Sequence, residues 1–281
     1  MFRLAIQKSG RLHDESIKLL KECGISVANG GGQLKVPALN FPLEILLLRN
    51  SDIPRYLNDG VVDMAIVGEN TLIEYPGDFE IWNRLGFGKC RLSLAVPEEE
   101  SYSGSAWFEG RRIATSYPNS LQRWLDSERI DAGIHTIGGS VEVAPRMGLA
   151  DAVCDLVSTG STLWSNGLRE VDVLLRSEAC LVVSESLEDR EAAETFRFRV
   201  NAVLEARRNR YVMLNAPTEK VDEICELLPG AKSPTVMPLH KAGWSSIHTL
   251  LPESDTWKLV DTLQAAGAEG ILVLPIEKMI R

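Results

Sequence analysis

Apolar residues along this chain fall into short dense runs separated by amphipathic stretches, the pattern of strands alternating with helices. Phe2 to Ile6 reads as a first strand. A helix from about Asp14 to Cys23 follows, with Ile17, Leu19, Leu20 and Cys23 on its inner side and Gly24 at its end. Gly30, Gly31 and Gly32 predict a flexible turn. The dense run Leu43 to Leu48 predicts a strand buried on both faces, as in a parallel sheet. Pro54 starts a helix that Gly60 closes, and Val61 to Val67 forms the next strand. Leu92 to Val96 is expected to close a first lobe.

A second set follows. Arg112 to Ala114 and Ile134 to Ile137 read as strands. Helices are expected around Leu121, Trp124 and Leu125 and near Ala144 to Leu149. A short strand from Val153 leads to a helix from about Thr162 to Asn166, and Val171 to Ser177 and Cys180 to Val183 return toward the first lobe. A charged helix from about Leu187 to Asn209 reads as a connector. Beyond it lie strand Tyr211–Ala216, helix Glu219–Leu228, strand Pro234–His240, strand Trp244–Leu251, helix Thr256–Ala266 and strand Gly270–Pro275. That order, βαββαβ, is the ferredoxin-like arrangement, for which about 70 residues suffice. The expected organisation is α/β, with lobe I in residues 1–92 and 175–206, lobe II in 93–174 and a tail domain in 207–281.

Composition narrows the class. The chain has 281 residues, 44% hydrophobic and 25% charged, as in an ordinary globular protein. A net charge of −9 argues against a general nucleic-acid surface but leaves anionic small ligands open, since a few local cations and backbone donors bind those. The five cysteines, Cys23, Cys90, Cys154, Cys180 and Cys225, are scattered and show no zinc spacing. They read as reduced core residues of a cytosolic protein. No signal peptide and no membrane-spanning run are expected.

Chemistry concentrates at strand ends. Ser158, Thr159, Gly160, Ser161 and Thr162 follow a short buried strand and precede a helix. Free backbone N–H groups and hydroxyls in such a loop bind phosphate, while a plain Ser/Thr cap is the alternative. Asp155, just upstream, could accept hydrogen bonds from sugar hydroxyls beside that phosphate. Lys8, Ser9, Gly10 and Arg11 form a second anion-binding candidate, or a solvated basic loop. Arg49, at the end of the Leu43 to Leu48 run, faces either a phosphate or an exposed salt bridge. Glu69 sits at the next strand tip. Ser116 and Tyr117 close another hydroxyl-rich strand end, and Tyr117 either stacks on a purine or packs the domain edge. His13, His135, His240 and His248 form no catalytic or metal constellation.

From Glu142 to Leu163 the chain reads Glu142, Gly148, Ala150, Val153, Asp155, Leu156, Thr159, Gly160, Thr162, Leu163. This order and spacing resembles, without gaps, the signature of ATP phosphoribosyltransferase, the first enzyme of histidine biosynthesis. Residues Gln7 to Leu12 and the stretch from Arg49 through Asn70 are similar to the same family, and the latter also resembles type II periplasmic-binding-protein folds. The resemblance implies a two-lobed catalytic part of that fold, with the strand ends meeting in the cleft. It implies transfer of a phosphoribosyl group from 5-phosphoribosyl 1-diphosphate to ATP, with release of pyrophosphate. Asp155 and Ser158–Thr162 would hold the donor. Lys8, Arg11 and Arg49 would meet phosphates, and Glu142 and Glu69 would orient ribose or a magnesium-bound water. ATP would meet Lys8, Arg11, Glu69, Ser116 and Tyr117. Mg²⁺ would arrive on substrate phosphates, with Glu142 a candidate carboxylate.

The tail implies the long form, in which an ACT-like regulatory domain binds histidine as feedback inhibitor. Thr235, Ser245, Ser246 and Gly270 are its candidate pocket positions, ordinary turn chemistry being the alternative. The family further implies a cytoplasmic homo-oligomer, dimer and hexamer, without nucleic acid or membrane as partner. Salvage phosphoribosyltransferases of other folds put two adjacent acids before their phosphate loop, whereas Cys154 precedes Asp155 here. Two rival readings are a transport or sensing protein with this two-lobed fold and a purely regulatory amino-acid-binding protein.

Overall fold

The computed structural model describes residues 2–28, 32–187, 189–228 and 234–280. It divides into two compact units, Met1–Lys21 with Ile25–Ala193, and Glu22–Gly24 with Glu194–Arg281. Of the expected glycine turn, Gly30 and Gly31 lie outside the described residues, and Gly32 has φ +93°.

The first unit opens with β1 (Phe2–Gln7), α1 (Arg11–Glu22), β2 (Lys35–Pro37), β3 (Leu43–Leu48) and α2 (Ile53–Asn58). It continues with β4 (Met64–Gly68), α3 (Glu69–Glu74) and β5 (Phe79–Arg84). Then come β6 (Cys90–Pro97), β7 (Arg112–Thr115), α4 (Pro118–Glu128), β8 (Gly133–Thr136), β9 (Ala152–Val157) and α5 (Ser161–Ser165). The strands β10 (Leu168–Ser177) and β11 (Ala179–Ser184) complete it.

Two sheets make two lobes. The first has order β2-β3-β1-β4-β11-β5, the second β10-β6-β9-β7-β8. β1 runs parallel to β3 and β4, so Gln7 and Leu48 end side by side. One face of the first sheet buries Ala5, Ala65, Val67 and Val182 against Ile53 and Leu57 of α2. The second sheet is covered on both faces: Leu92, Leu94 and Ile113 pack with Phe108, Leu121 and Leu125, while Ala95, Ala114 and Val153 pack with Val141, Leu163 and Leu168. The chain crosses between the sheets twice, between β5 and β6 and between β10 and β11.

Four expectations need correction. The strand around Leu92–Val96 does not close the first lobe, because β6 pairs with β9 and β10 in the second sheet. Val171–Ser177 does not return to the first lobe either, because β10 is the edge strand of that second sheet and only β11 joins the first. No helix forms over Ala144–Leu149. A single 3-10 turn spans Val141–Val143, and Gly148 at φ +70° turns the chain before a helix can extend. Val61 and Val62 precede their strand, since both their N–H groups bond the Tyr56 carbonyl at the end of α2.

In the second unit, α6 (Arg190–Arg208), across which the division falls, leads to β12 (Asn209–Pro217), α7 (Val221–Glu226) and β13 (Thr235–Pro238). β14 (Trp244–Pro252), α8 (Thr256–Ala265) and β15 (Glu269–Pro275) follow. The sheet order is β13-β14-β12-β15, antiparallel throughout. Period-two alternation buries Val212, Leu214 and Ala216 of β12 with Ile224 of α7 and Leu263 of α8. This is the expected ferredoxin-like unit. Among the described residues no helix is long and apolar enough to cross a membrane.

Candidate active site

β9 lies inside its sheet, antiparallel to β6 and parallel to β7. Its apolar residues Ala152, Val153, Cys154 and Val157 fix it in the core. The chain then leaves the sheet as an exposed loop, Ser158 and Thr159, and re-enters order at α5. Gly160 makes that turn at φ +87°, left-handed backbone that side-chain-bearing residues rarely adopt. Thr159 Oγ1 and Ser161 Oγ lie 3.1 Å apart in a hydrogen bond. A cavity of about 340 Å³ opens here, lined by Glu142, Asp155, Ser158, Thr159, Gly160 and Thr162 among others.

Asp155 and Glu142 give this cavity its acidic side. Burial pushes the Asp155 carboxyl above the ordinary aspartate range, and the charge of Glu142 pushes the same way. The Leu156 N–H opposes both by donating to Asp155 Oδ1 at 2.8 Å.

A second cavity, about 470 Å³, adjoins the first. Gln7, Arg11, Asn50, Gly68 and Asn70 of the first lobe line it together with Lys89, Cys90, Leu156 and Ser158. Leu156 and Ser158 line both cavities. The structure thus brings Arg11 to the edge of the hydroxyl loop. Arg11 is exposed and makes no ion pair among the described residues.

Other expected site residues stand elsewhere. Lys8 and Arg49 are exposed at the ends of β1 and β3, and neither lines these cavities. Glu69 is engaged by Arg84, whose Nη2 and Nε donate to its carboxylate at 2.5 and 3.3 Å. Ser116 Oγ donates to the Ile137 carbonyl at 2.6 Å. Tyr117 packs against the second lobe's core, and its hydroxyl accepts from Asn70 Nδ2 at 3.3 Å. Burial raises that phenol well above its ordinary value.

Pattern reading missed Asn50, Asn70 and Lys89. Asn50 and Asn70 stand beside Arg49 and Glu69, so a polar strand tip was the available signal. Lys89 follows Gly86 and Gly88, both at positive φ, on the crossing to β6; only the fold brings it to Arg11. Also missed was a tie between the lobes. Glu74, fully buried at the end of α3, accepts from the backbone N–H of Asn119 and Ser120 at 2.9 and 2.8 Å and from Ser120 Oγ at 2.7 Å. A carboxylate from one lobe therefore caps α4 of the other.

In the tail, Ser246 shares a sheet face with Thr235, whose partner across the ladder is His248. Ser246 Oγ lies 3.1 Å from His248 Nε2, and Tyr211 Oη 2.7 Å from His248 Nδ1. Gly270 approaches Asn215, the partner of Ser246. Ser245, one residue along, turns to the opposite face and pairs with Thr218 Oγ1 at 3.0 Å. It is therefore separated from a pocket built of the other three. His13 is held locally, its Nδ1 2.9 Å from the Gln7 carbonyl. All five cysteines are free thiols. Among the described residues no group of three or more His, Cys, Asp or Glu side chains is poised to hold a metal ion.

A family model described as ATP phosphoribosyltransferase matches residues 49–206, and one for the C-terminal domain of the same family matches residues 206–278. A relative from Cytophaga hutchinsonii, named ATP phosphoribosyltransferase, is 54% identical over 100% of this chain and 99% of its own. One of the same name from Phocaeicola vulgatus is 52% identical over the full length of both. Among solved structures, the ATP phosphoribosyl transferase (HisG:HisZ) complex from Thermotoga maritima superposes with a TM-score of 0.64 at 29% identity. The match covers 73% of this chain and 99% of that one. A histidine kinase sensor domain with similarity to periplasmic binding proteins matches at TM-score 0.51 and 11% identity, over 73% of this chain and 90% of its own, a likeness of fold.

Proposed function

The chain belongs to the ATP phosphoribosyltransferase family, with the C-terminal domain of its long form, and from that premise we propose how its two adjoining cavities divide the substrates. The reaction joins ATP to 5-phosphoribosyl 1-diphosphate, the first step of histidine biosynthesis. An adenine ring nitrogen attacks the anomeric carbon, the bond from that carbon to the diphosphate oxygen breaks, and pyrophosphate leaves. No protein nucleophile is needed. Catalysis rests on alignment of two anions and on stabilising the leaving group.

The donor's 5-phosphate binds the hydroxyl loop, Ser158 to Thr162, through backbone N–H groups and side-chain hydroxyls. Asp155 and Glu142 accept from the ribose hydroxyls. Arg11 and Lys89, across the shared residue Ser158, take the diphosphate and the phosphates of ATP. Lys8 and Arg49, outside both cavities, act as a peripheral positive field for those anions. Glu69, Ser116 and Tyr117 support the ATP side by holding strand ends in place. The observation that carries this division is that Ser158 lines both an acidic, hydroxyl-rich cavity and a cationic one.

Mg²⁺ fits the donor set: Glu142 and Asp155, hard oxygen donors at one cavity, would hold it, and such an ion takes its remaining ligands from water and substrate phosphates. Held there, it would supply positive charge against the departing pyrophosphate. Histidine acts as inhibitor through the tail domain, where Thr235, Ser246 and Gly270 offer pocket positions. The enzyme works in the cytoplasm as a homo-oligomer, dimer and hexamer. Incubation with ATP, donor, Mg²⁺ and pyrophosphatase, with and without histidine, tests this reading. Phosphoribosyl-ATP forms, and histidine slows its formation; absence of product overturns the proposal.

A further inference from the structure

Beside the hydroxyl loop stands an arginine each of whose three guanidinium nitrogens donates a hydrogen bond. Arg91 of β6 donates Nε to Glu170 Oε1 and Nη2 to Glu170 Oε2, each at 2.5 Å. Ser93 Oγ donates to the same Oε1 at 2.8 Å. Glu170 lies on β10 and Ser93 is buried, so the acceptor is fixed from two strands. The remaining nitrogen, Arg91 Nη1, donates to the Ser158 carbonyl at 3.2 Å. Glu170 cancels the charge of Arg91, so what the pair adds to the loop is geometry.

A trans peptide is planar, and its C=O and the following N–H point in opposite directions. Fixing the Ser158 carbonyl on Arg91 therefore turns the Thr159 N–H the other way. Ser158 and Thr159 are exposed, Ser158 lines both cavities, and the ladder of β9 with β6 ends at Val157, so among the described residues no strand pairing holds the Ser158 carbonyl. Were that plane to flip, a carbonyl oxygen would face a bound phosphate in place of a donor.

We propose that Arg91, held by Glu170 and Ser93, is a positioning residue for the phosphoribosyl donor: it sets the Ser158–Thr159 peptide so that the Thr159 N–H serves the 5-phosphate. This rests on the hydroxyl loop being the donor site. Lysine cannot replace it, because only a planar fork reaches both carboxylate oxygens and a carbonyl together.

The test is calorimetric binding of 5-phosphoribosyl 1-diphosphate and, separately, of ATP to the full chain, with melting temperatures alongside. The variants are Arg91→Gln, Arg91→Lys, Ser93→Ala and Thr162→Val, the last removing a loop hydroxyl and leaving the backbone alone. Arg91→Gln weakens the donor about tenfold, the worth of one charge-assisted hydrogen bond, with ATP affinity unchanged. Arg91→Lys fails to restore it, and Ser93→Ala gives a smaller loss of the same kind. If Thr162→Val loses donor affinity while Arg91→Gln and Ser93→Ala keep it, the positioning role is wrong. The same holds if lysine restores binding, or if donor and ATP affinity fall together with the melting temperature. If Thr162→Val binds the donor as the wild type does, the loop assignment itself fails, and the inference with it.

Discussion

Asp155 sets a buried carboxyl against the stability of the fold. Its carboxyl is raised, first by burial and then by Glu142. A folded-state value above the unfolded one means that protonation favours the fold. That contribution is fully present below the unfolded aspartate value, about 3.9, and is lost as pH rises through the folded value. Above the folded value that contribution is gone, and the burial that raises the carboxyl weighs against the folded state. Asp155→Asn should raise the melting temperature at neutral pH, and the gain should vanish below about pH 4. The same variant should lose most of its activity. An unchanged or lower neutral melting temperature would contradict the account.

Arg11 behaves differently: exposed, unpaired among the described residues and lining the cationic cavity. Arg11→Ala should lower turnover steeply and shift stability by less than about 1 kcal/mol, the ceiling for surface charges. Near-normal turnover with a changed melting point would contradict this. At this scale the sequence was legible where chemistry is contiguous. Glu142, Asp155 and Ser158 to Thr162 lie within one short stretch, and the fold keeps all but Ser161 on one cavity. Lys89, Arg91 and Glu170 were illegible because their partners are distant in sequence: Arg91 and Glu170 are 79 residues apart.

Among the elements, α3 matters beyond its six residues. Its Glu74 gives α4 an acceptor for two backbone N–H groups and a hydroxyl. Glu74→Ala removes the acceptor of all three donors and leaves the two on buried Ser120 unpaired, which should cost about 2–4 kcal/mol, several times an ordinary helix cap. Glu74→Gln keeps one acceptor oxygen and should cost less. Urea midpoints measure both, and a loss below about 0.5 kcal/mol in Glu74→Ala would remove the assigned role. Pattern reading found the long buried strands and missed α3, β2 and β5. The reason is physical: β5 is largely exposed at a sheet edge and shows no apolar run, and six residues give too little periodicity for a helix to register.

For the whole molecule, the tail is a compact unit with its own core. A ligand bound there changes activity only if it favours one global state over another. Histidine should lower the activity of the full chain, and a chain ending at Asn209, which retains all of α6, should be insensitive to it. Full inhibition of the shortened chain would remove the regulatory role. The two-lobed plan and the βαββαβ tail were both legible from element order. The exchange of β6 into the second sheet was not, because which sheet a strand joins depends on pairing that no local pattern encodes.

The central claim is that the donor phosphate sits in the loop from Ser158 to Thr162. A crystal structure of the protein soaked with ribose 5-phosphate measures this directly. The account predicts the phosphate within hydrogen-bond reach of the Thr159 to Thr162 backbone N–H groups, with the ribose hydroxyls toward Asp155 and Glu142. A phosphate bound instead beside Arg11 and Lys89, with the hydroxyl loop empty, would contradict it.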